Sequence, residues 1–225
     1  MLFALVLTVA GASGDFAVIE KVEVLAANPK TKRAAVRLTL NLDPNYGSGM
    51  EEDVPKPVSC GYAGMKKGGT SGVTLLLWDL EKGKQVTEYV VYAVATKKAE
   101  CTPRAESTRQ LDEAKKAFVA AGLDLTTPPA KADVSEQSCK AETENEEDDC
   151  AWIRTETCSL RGVVISVDQK SANCGPFMET KTTRDWYVVD DAYFHTDLAH
   201  TNSMRGSWDG WSISKPVVVP RPKTK

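Results

Sequence analysis

Only two histidines occur in the 225-residue chain, and both fall in one segment, Asp190-Asp191-Ala192-Tyr193-Phe194-His195-Thr196-Asp197-Leu198-Ala199-His200. Imidazole and carboxylate are standard ligands of zinc and related ions, and the same groups act as general acid and base in hydrolysis. Asp190, Asp191, His195, Asp197 and His200 are therefore the candidate metal-ligating set, and a metal-dependent hydrolase is one function they suggest. The spacing argues against it. Paired histidines on a helix stand at i and i+4, as in H-E-x-x-H, whereas these stand at i and i+5. On a strand, odd separations point to opposite faces. Only a loop brings both rings inward, and the segment is expected to be a polar loop following a strand at 186–189.

The other chemical patterns are incomplete. Gly61–Gly72 reads GYAGMKKGGTSG, but the lysine that a P-loop places before its Ser or Thr is missing, because Thr70 follows Gly69 directly. Asn173-Cys174-Gly175-Pro176 lacks the second cysteine of a redox dithiol, since Phe177 holds that position. Asp43-Pro44-Asn45-Tyr46-Gly47 opens like a calcium loop, but Ser48 and Val54 stand where an EF-hand wants Gly and Glu. No resident cofactor is expected. A divalent metal at the histidine segment, or calcium held loosely by the acidic run Glu142, Glu144, Glu146, Glu147, Asp148 and Asp149, is the alternative. Trp208-Asp209-Gly210-Trp211 sets two indoles beside a glycine turn, and Trp208 and Trp211 are candidate partner-binding residues that would stack on sugars or dock a protein.

The six cysteines, Cys60, Cys101, Cys139, Cys150, Cys158 and Cys174, contain no C-x-x-C pair of the kind that closes a zinc site. An even count without such pairs predicts three disulfides in an oxidising compartment. The connectivity stays open, with a preference for Cys60–Cys101 in the first half. The N-terminus agrees with export. Residues 1–12 carry no charged side chain and end in Ala10-Gly11-Ala12, an A-x-A site for signal peptidase, so residues 1–14 are expected to be a signal peptide. The stretch is too short to span a bilayer, and no integral membrane segment is expected in the mature chain.

The elements that must position these residues are mostly strands. Residues 16–25 and 34–42 alternate around the turn Asn28–Lys32, and 73–80 and 85–96 flank Glu81-Lys82-Gly83-Lys84. Leu77–Lys84 resembles the strand end and turn of a WD40 propeller blade, and 25–36 is similar to the inner hairpin of such repeats. That resemblance implies a hairpin at each place and no more. Residues 43–72, with Pro44, Pro55 and Pro57, read as a long loop. One helix is expected at 108–121, with Ser107 and Gln110 as a capping box, Leu111, Ala114, Phe118 and Ala121 on one face, and Gly122 as the stop. Further strands are expected at 152–153, 161–167, 182–189 and 211–219.

The fold class that follows is mainly β: antiparallel, sandwich-like sheets with one inserted amphipathic α-helix, stapled by disulfides. The expected organisation is a signal peptide at 1–14, a β-rich lobe at 15–123, an acidic cysteine-flanked linker or loop at 124–150, a second β-rich lobe at 151–219 and a basic tail at 220–225. A net charge of −3, from 28 basic and 31 acidic residues, disfavours a nucleic-acid partner. The favoured function is a periplasmic or extracellular, non-catalytic binding or structural module of the cell envelope with a protein or glycan partner. A self-assembling surface component is the third reading.

Overall fold

Alternating apolar residues separated by Asn, Asp and Gly make hairpins, and hairpins dominate the computed structural model, which describes residues 17–42, 71–92, 94–95, 100–144, 152–171, 178–203 and 206–222. In chain order these form β1 (Ala17–Asn28), β2 (Arg33–Leu42), β3 (Ser71–Asp79), β4 (Lys84–Tyr92), β5 (Val94–Ala95) and β6 (Glu100–Cys101). The helix α1 (Arg104–Ala120) follows, then β7 (Ala130–Lys131), β8 (Ser138–Glu144), β9 (Ile153–Leu160) and β10 (Val163–Ser171). The chain finishes with β11 (Met178–Val189), β12 (Ala192–Ser203), β13 (Gly206–Ile213) and β14 (Val217–Val218). Three antiparallel sheets result: β1-β2-β3-β4, β10-β9-β8, and a central β13-β12-β11-β7 with β14 also on β12, beside a small β5–β6 ladder.

These layers stack because each sheet has apolar residues to bury. The helix lays Ala114 and Phe118, with Leu123 just past its end, on Ala26, Ala35, Leu75 and Leu77 of the four-stranded sheet. The opposite face of that sheet, with Val22, Val24, Val36, Leu76 and Trp78, meets Tyr187, Phe194, Trp211 and Ile213 of the central sheet. The central sheet turns Trp186 and Tyr193 the other way, against Cys158, Leu160 and Ile165 of the three-stranded sheet. The core thus joins strands from both halves of the chain.

Two bulges in β1 let its residues serve these layers. The register slips between Ile19 and Lys21 and again between Val24 and Ala26. Each extra residue reverses the alternation of the strand. Ile19 and Val22 therefore share a face despite their odd separation, and Ala26 crosses from the face of Val24 to the face beneath α1.

The expected mainly-β class with one helix and a disulfide is what the chain adopts. Several local expectations change. The helix begins at Arg104 after Pro103, and Ser107 lies buried inside its first turn, with its N–H donating to the Pro103 carbonyl instead of its hydroxyl capping the end. Pro103 sets up that earlier start, because a proline lacking an N–H costs nothing where the first amides have no helical partner. The stop is at Gly122, where φ is +73°. The 124–150 segment, read as linker or loop, contains β7 and β8, and β8 is exposed at all seven residues. Polar side chains do not bar a strand whose backbone is paired along β9. The 190–200 segment is a hairpin turn followed by β12, and the glycine turn expected at Gly210 is continuous strand.

Candidate functional site

Because β11 and β12 pair without a slip, Arg184 stands opposite Asp197 and Trp186 opposite His195. All four point to the three-stranded sheet, whose β10 brings up Asp168. The Arg184 guanidinium is gripped from two sides. Its Nη1 and Nη2 donate to Asp168 at 2.7 and 2.6 Å, and its Nε and Nη2 donate to Asp197 at 2.7 and 3.0 Å. Two fork-like pairs on one guanidinium are the geometry in which arginine binds carboxylates best.

His195 extends this cluster. Its Nδ1 is 3.0 Å from Asp197 Oδ1, and an ionised carboxylate only accepts, so Nδ1 carries the proton. The ring stands edge-on to Trp186 with centroids 4.6 Å apart, and its side chain is 8% exposed. The backbone N–H donates to Ser214 Oγ at 2.8 Å. Burial pushes the Asp197 carboxyl up, but the His195 and Arg184 hydrogen bonds outweigh it and hold Asp197 below the ordinary carboxylate range. Burial likewise opposes the charge on Arg184, and its bonds to Asp168 and Asp197 raise it regardless.

His200 lies on the opposite face of β12, as the odd spacing requires on a strand. Its Nδ1 is 2.6 Å from Asp209 Oδ1 on β13, and the other oxygen, Oδ2, accepts the Ile19 amide of β1 at 2.7 Å. Asp209 is 5% exposed on its side chain, so this pair fastens the central sheet to the four-stranded one.

The five candidate ligands therefore do not converge. Asp190 occupies the β11–β12 turn in the left-handed region, at φ +55°. Asp191 accepts from Arg221 Nε at 2.7 Å, and His195 with Asp197 and His200 with Asp209 form separate pairs on two faces. Among the described residues no group of three His, Cys, Asp or Glu side chains is placed to hold a metal ion. Where Asp168 and Asp197 do converge, the Arg184 guanidinium fills the position a cation would take.

Trp211 is not on the surface. It is buried against Trp78 with ring centroids 5.0 Å apart, and both indole N–H groups lack a hydrogen-bond partner. It cannot join Trp208 as a sugar platform, and the Trp208 side chain lies outside the described residues. Cys139 and Cys158 form a disulfide between directly opposed residues of β8 and β9. The side chains of Cys60, Cys101, Cys150 and Cys174 lie outside the described residues, as do the expected signal peptide, the loop to residue 70 with its glycine-rich and calcium-like stretches, the 173–176 motif and the acids at 146–149. No described helix is long and apolar enough to cross a membrane.

Sequence reasoning missed Arg184, Asp168 and Asp209, which complete both histidine pairs. A signal for Arg184 existed, since an arginine two residues from Trp186, on the same strand face, has to find a carboxylate when it is covered. Nothing local named Asp168 as that partner. No family model, curated protein or solved structure matches the chain.

Proposed function

We propose that the chain is an exported, non-catalytic binding and structural module of a cell envelope, engaging a protein partner in preference to a glycan. The Arg184 clamp carries this reading. The segment richest in chemistry is used to fasten strands and layers, with a guanidinium seated where hydrolytic metal chemistry needs an open coordination position. The cross-strand disulfide and the uncharged, mostly apolar residues 1–12 favour an oxidising compartment reached by secretion. The burial of Trp211 favours protein over glycan, because it removes one ring of the aromatic pair.

The test is production of the full chain in a secreting host, intact-mass measurement, and a binding screen against envelope proteins and glycans beside a panel of hydrolase substrates. The expected result is a shortened N-terminus, a gain of about 2 Da per disulfide on reduction, and saturable binding to a protein. Hydrolysis abolished by His195→Ala or His200→Ala in folded protein would overturn the reading in favour of an enzyme.

A further inference from the structure

Strand β8 is an open edge: among the described residues it pairs only with β9, and all seven of its residues are exposed. Such an edge is a template for another strand unless something blocks it. The groups it offers follow from the ladder. Opposed residues in an antiparallel pair alternate between wide pairs that exchange two hydrogen bonds and narrow pairs that exchange none, with Cα separations of about 5.5 and 4.5 Å. Cys139 and Cys158 have Cα atoms 4.1 Å apart, so theirs is a narrow pair. The N–H and C=O of Cys139, and by alternation of Ala141 and Thr143, therefore point away from β9 to the open edge.

We propose that β8 pairs antiparallel with β8 of a second copy of this chain, about a twofold axis at Ala141, so that two three-stranded sheets become one. Edge-facing residues must meet edge-facing residues, which limits the register. With the axis at Ala141, that residue meets its own copy and Cys139 meets Thr143, giving about six main-chain hydrogen bonds. Lys140 then faces Glu142 as a narrow pair, where side chains lie closest, and symmetry repeats this ion pair. Moving the axis to Glu142 or Lys140 sets like charges directly opposite each other, which is destabilising. Registers centred further out shorten the overlap or set Glu142 against Glu144.

The charge pattern of β8 is thus complementary to itself. A lysine-rich foreign strand would suit Glu142 and Glu144 but would set a like charge against Lys140. The disulfide prepares the edge by fixing β8 to β9 at one end of the seven-residue ladder. The proposal stands independently of the partner named above, because it concerns the chain with itself.

Sedimentation of the full, oxidised chain over roughly 1 to 200 μM tests it. The expected result is a concentration-dependent dimer. Lys140→Glu and Glu142→Lys should each weaken it at least about tenfold, and the double variant K140E/E142K should restore it, because the swapped charges again face their opposites. Both positions are exposed, so circular dichroism and Tm should stay at wild-type values. Ala141→Pro, which removes an edge-facing N–H that β9 does not use, should abolish the dimer. A monomer at every concentration, or a dimer indifferent to the single reversals or not recovered by the double, would overturn the proposal. A monomer that binds a lysine-rich extended peptide through β8 would also overturn it and assign the edge to a foreign strand.

Discussion

The carboxylate of Asp209 accepts the amide of Ile19 at 2.7 Å across a sequence separation of 190 residues. One buried side chain near the end of the chain fixes where β1, near its start, enters the core. The same carboxylate holds His200, so removing it leaves a half-buried amide and an imidazole without that acceptor. Asp209→Ala is expected to cost about 2 kcal/mol and to raise amide exchange at Ile19. His200→Ala should cost less and leave Ile19 protected, because the amide keeps its acceptor. Hydrogen exchange on both variants reads the difference directly.

The Arg184 clamp predicts a loss that depends on pH. Arg184→Met leaves Asp168 and Asp197 facing each other without a counter-charge, at a site where the arginine side chain is 22% exposed. Partial solvent access reduces the penalty from that of a fully buried pair to about 2 kcal/mol. Because Arg184 helps hold the Asp197 carboxyl below the ordinary range, the deficit relative to wild type at pH 7 should shrink toward pH 2, as Asp197 is protonated. Thermal melts at the two pH values check this.

Acid should destabilise the native chain through Asp79 and Asp197. Asp79 is buried at the β3–β4 turn, accepting the Lys82 and Glu81 amides and pairing with Arg33 at 2.8 Å. The Lys82 amide above all, against the opposing effect of burial and with help from Arg33, holds its carboxyl below the ordinary range. A folded value below the unfolded one, about 3.9 for an aspartate, stabilises the fold above that pH. The contribution disappears as pH falls through the folded value. Asp79→Asn should therefore lower stability at pH 7 and lose most of that difference near pH 2, as denaturant titrations at each pH would record.

The helix end offers a local test. Thr31 Oγ1 donates to the Ala121 carbonyl at 3.1 Å and Asn28 Nδ2 to the Gly122 carbonyl at 2.8 Å, so the β1–β2 turn caps α1. A Cβ at Gly122 would take an unfavourable left-handed conformation and approach Asn28 Nδ2 to 3.3 Å. Gly122→Ala should cost about 1–2 kcal/mol, and Asn28→Ala about 1 kcal/mol. Helical amide exchange should rise first at residues 117–121 in both.

Reduction of Cys139–Cys158 should release β8. The bridge closes a loop of 19 positions, worth about 3 kcal/mol in the chain-entropy account. The C139S/C158S double variant should lose protection along β8 while β11 and β12 keep theirs. Equal loss in all three strands would show that the disulfide supports the whole fold.

The hairpins were legible because their turns and their alternation agree: Asn28–Lys32 and Gly83 sit where the sequence placed them, as does Gly122 at the end of the helix. Strand β12 was not legible, and its position explains why. It is covered on both faces, with Phe194, Thr196 and Leu198 to one side and Tyr193, His195 and Asp197 to the other, so no apolar–polar alternation survives. Strand β8 fails for the opposite reason, being exposed throughout. The site was half visible. His195 and Asp197 stand two apart on one strand, but Asp168 and Asp209 reach the histidine segment only through pairing and layer packing that local spacing does not encode.

The two seams beside the central sheet differ in kind. One is dominated by apolar side chains such as Val36, Leu76, Trp78 and Phe194, and the other joins a smaller apolar group to a charged clamp. A covered clamp of that sort gives up hydration to form, so it returns less net stability than hydrocarbon buried over the same area. The three-stranded sheet is thus the leaf expected to detach first on heating, with the helix and the two apolar-packed sheets outlasting it. Such a molecule is built like a sacrificial fuse: the sheet that carries the open edge can yield without taking the rest of the fold with it.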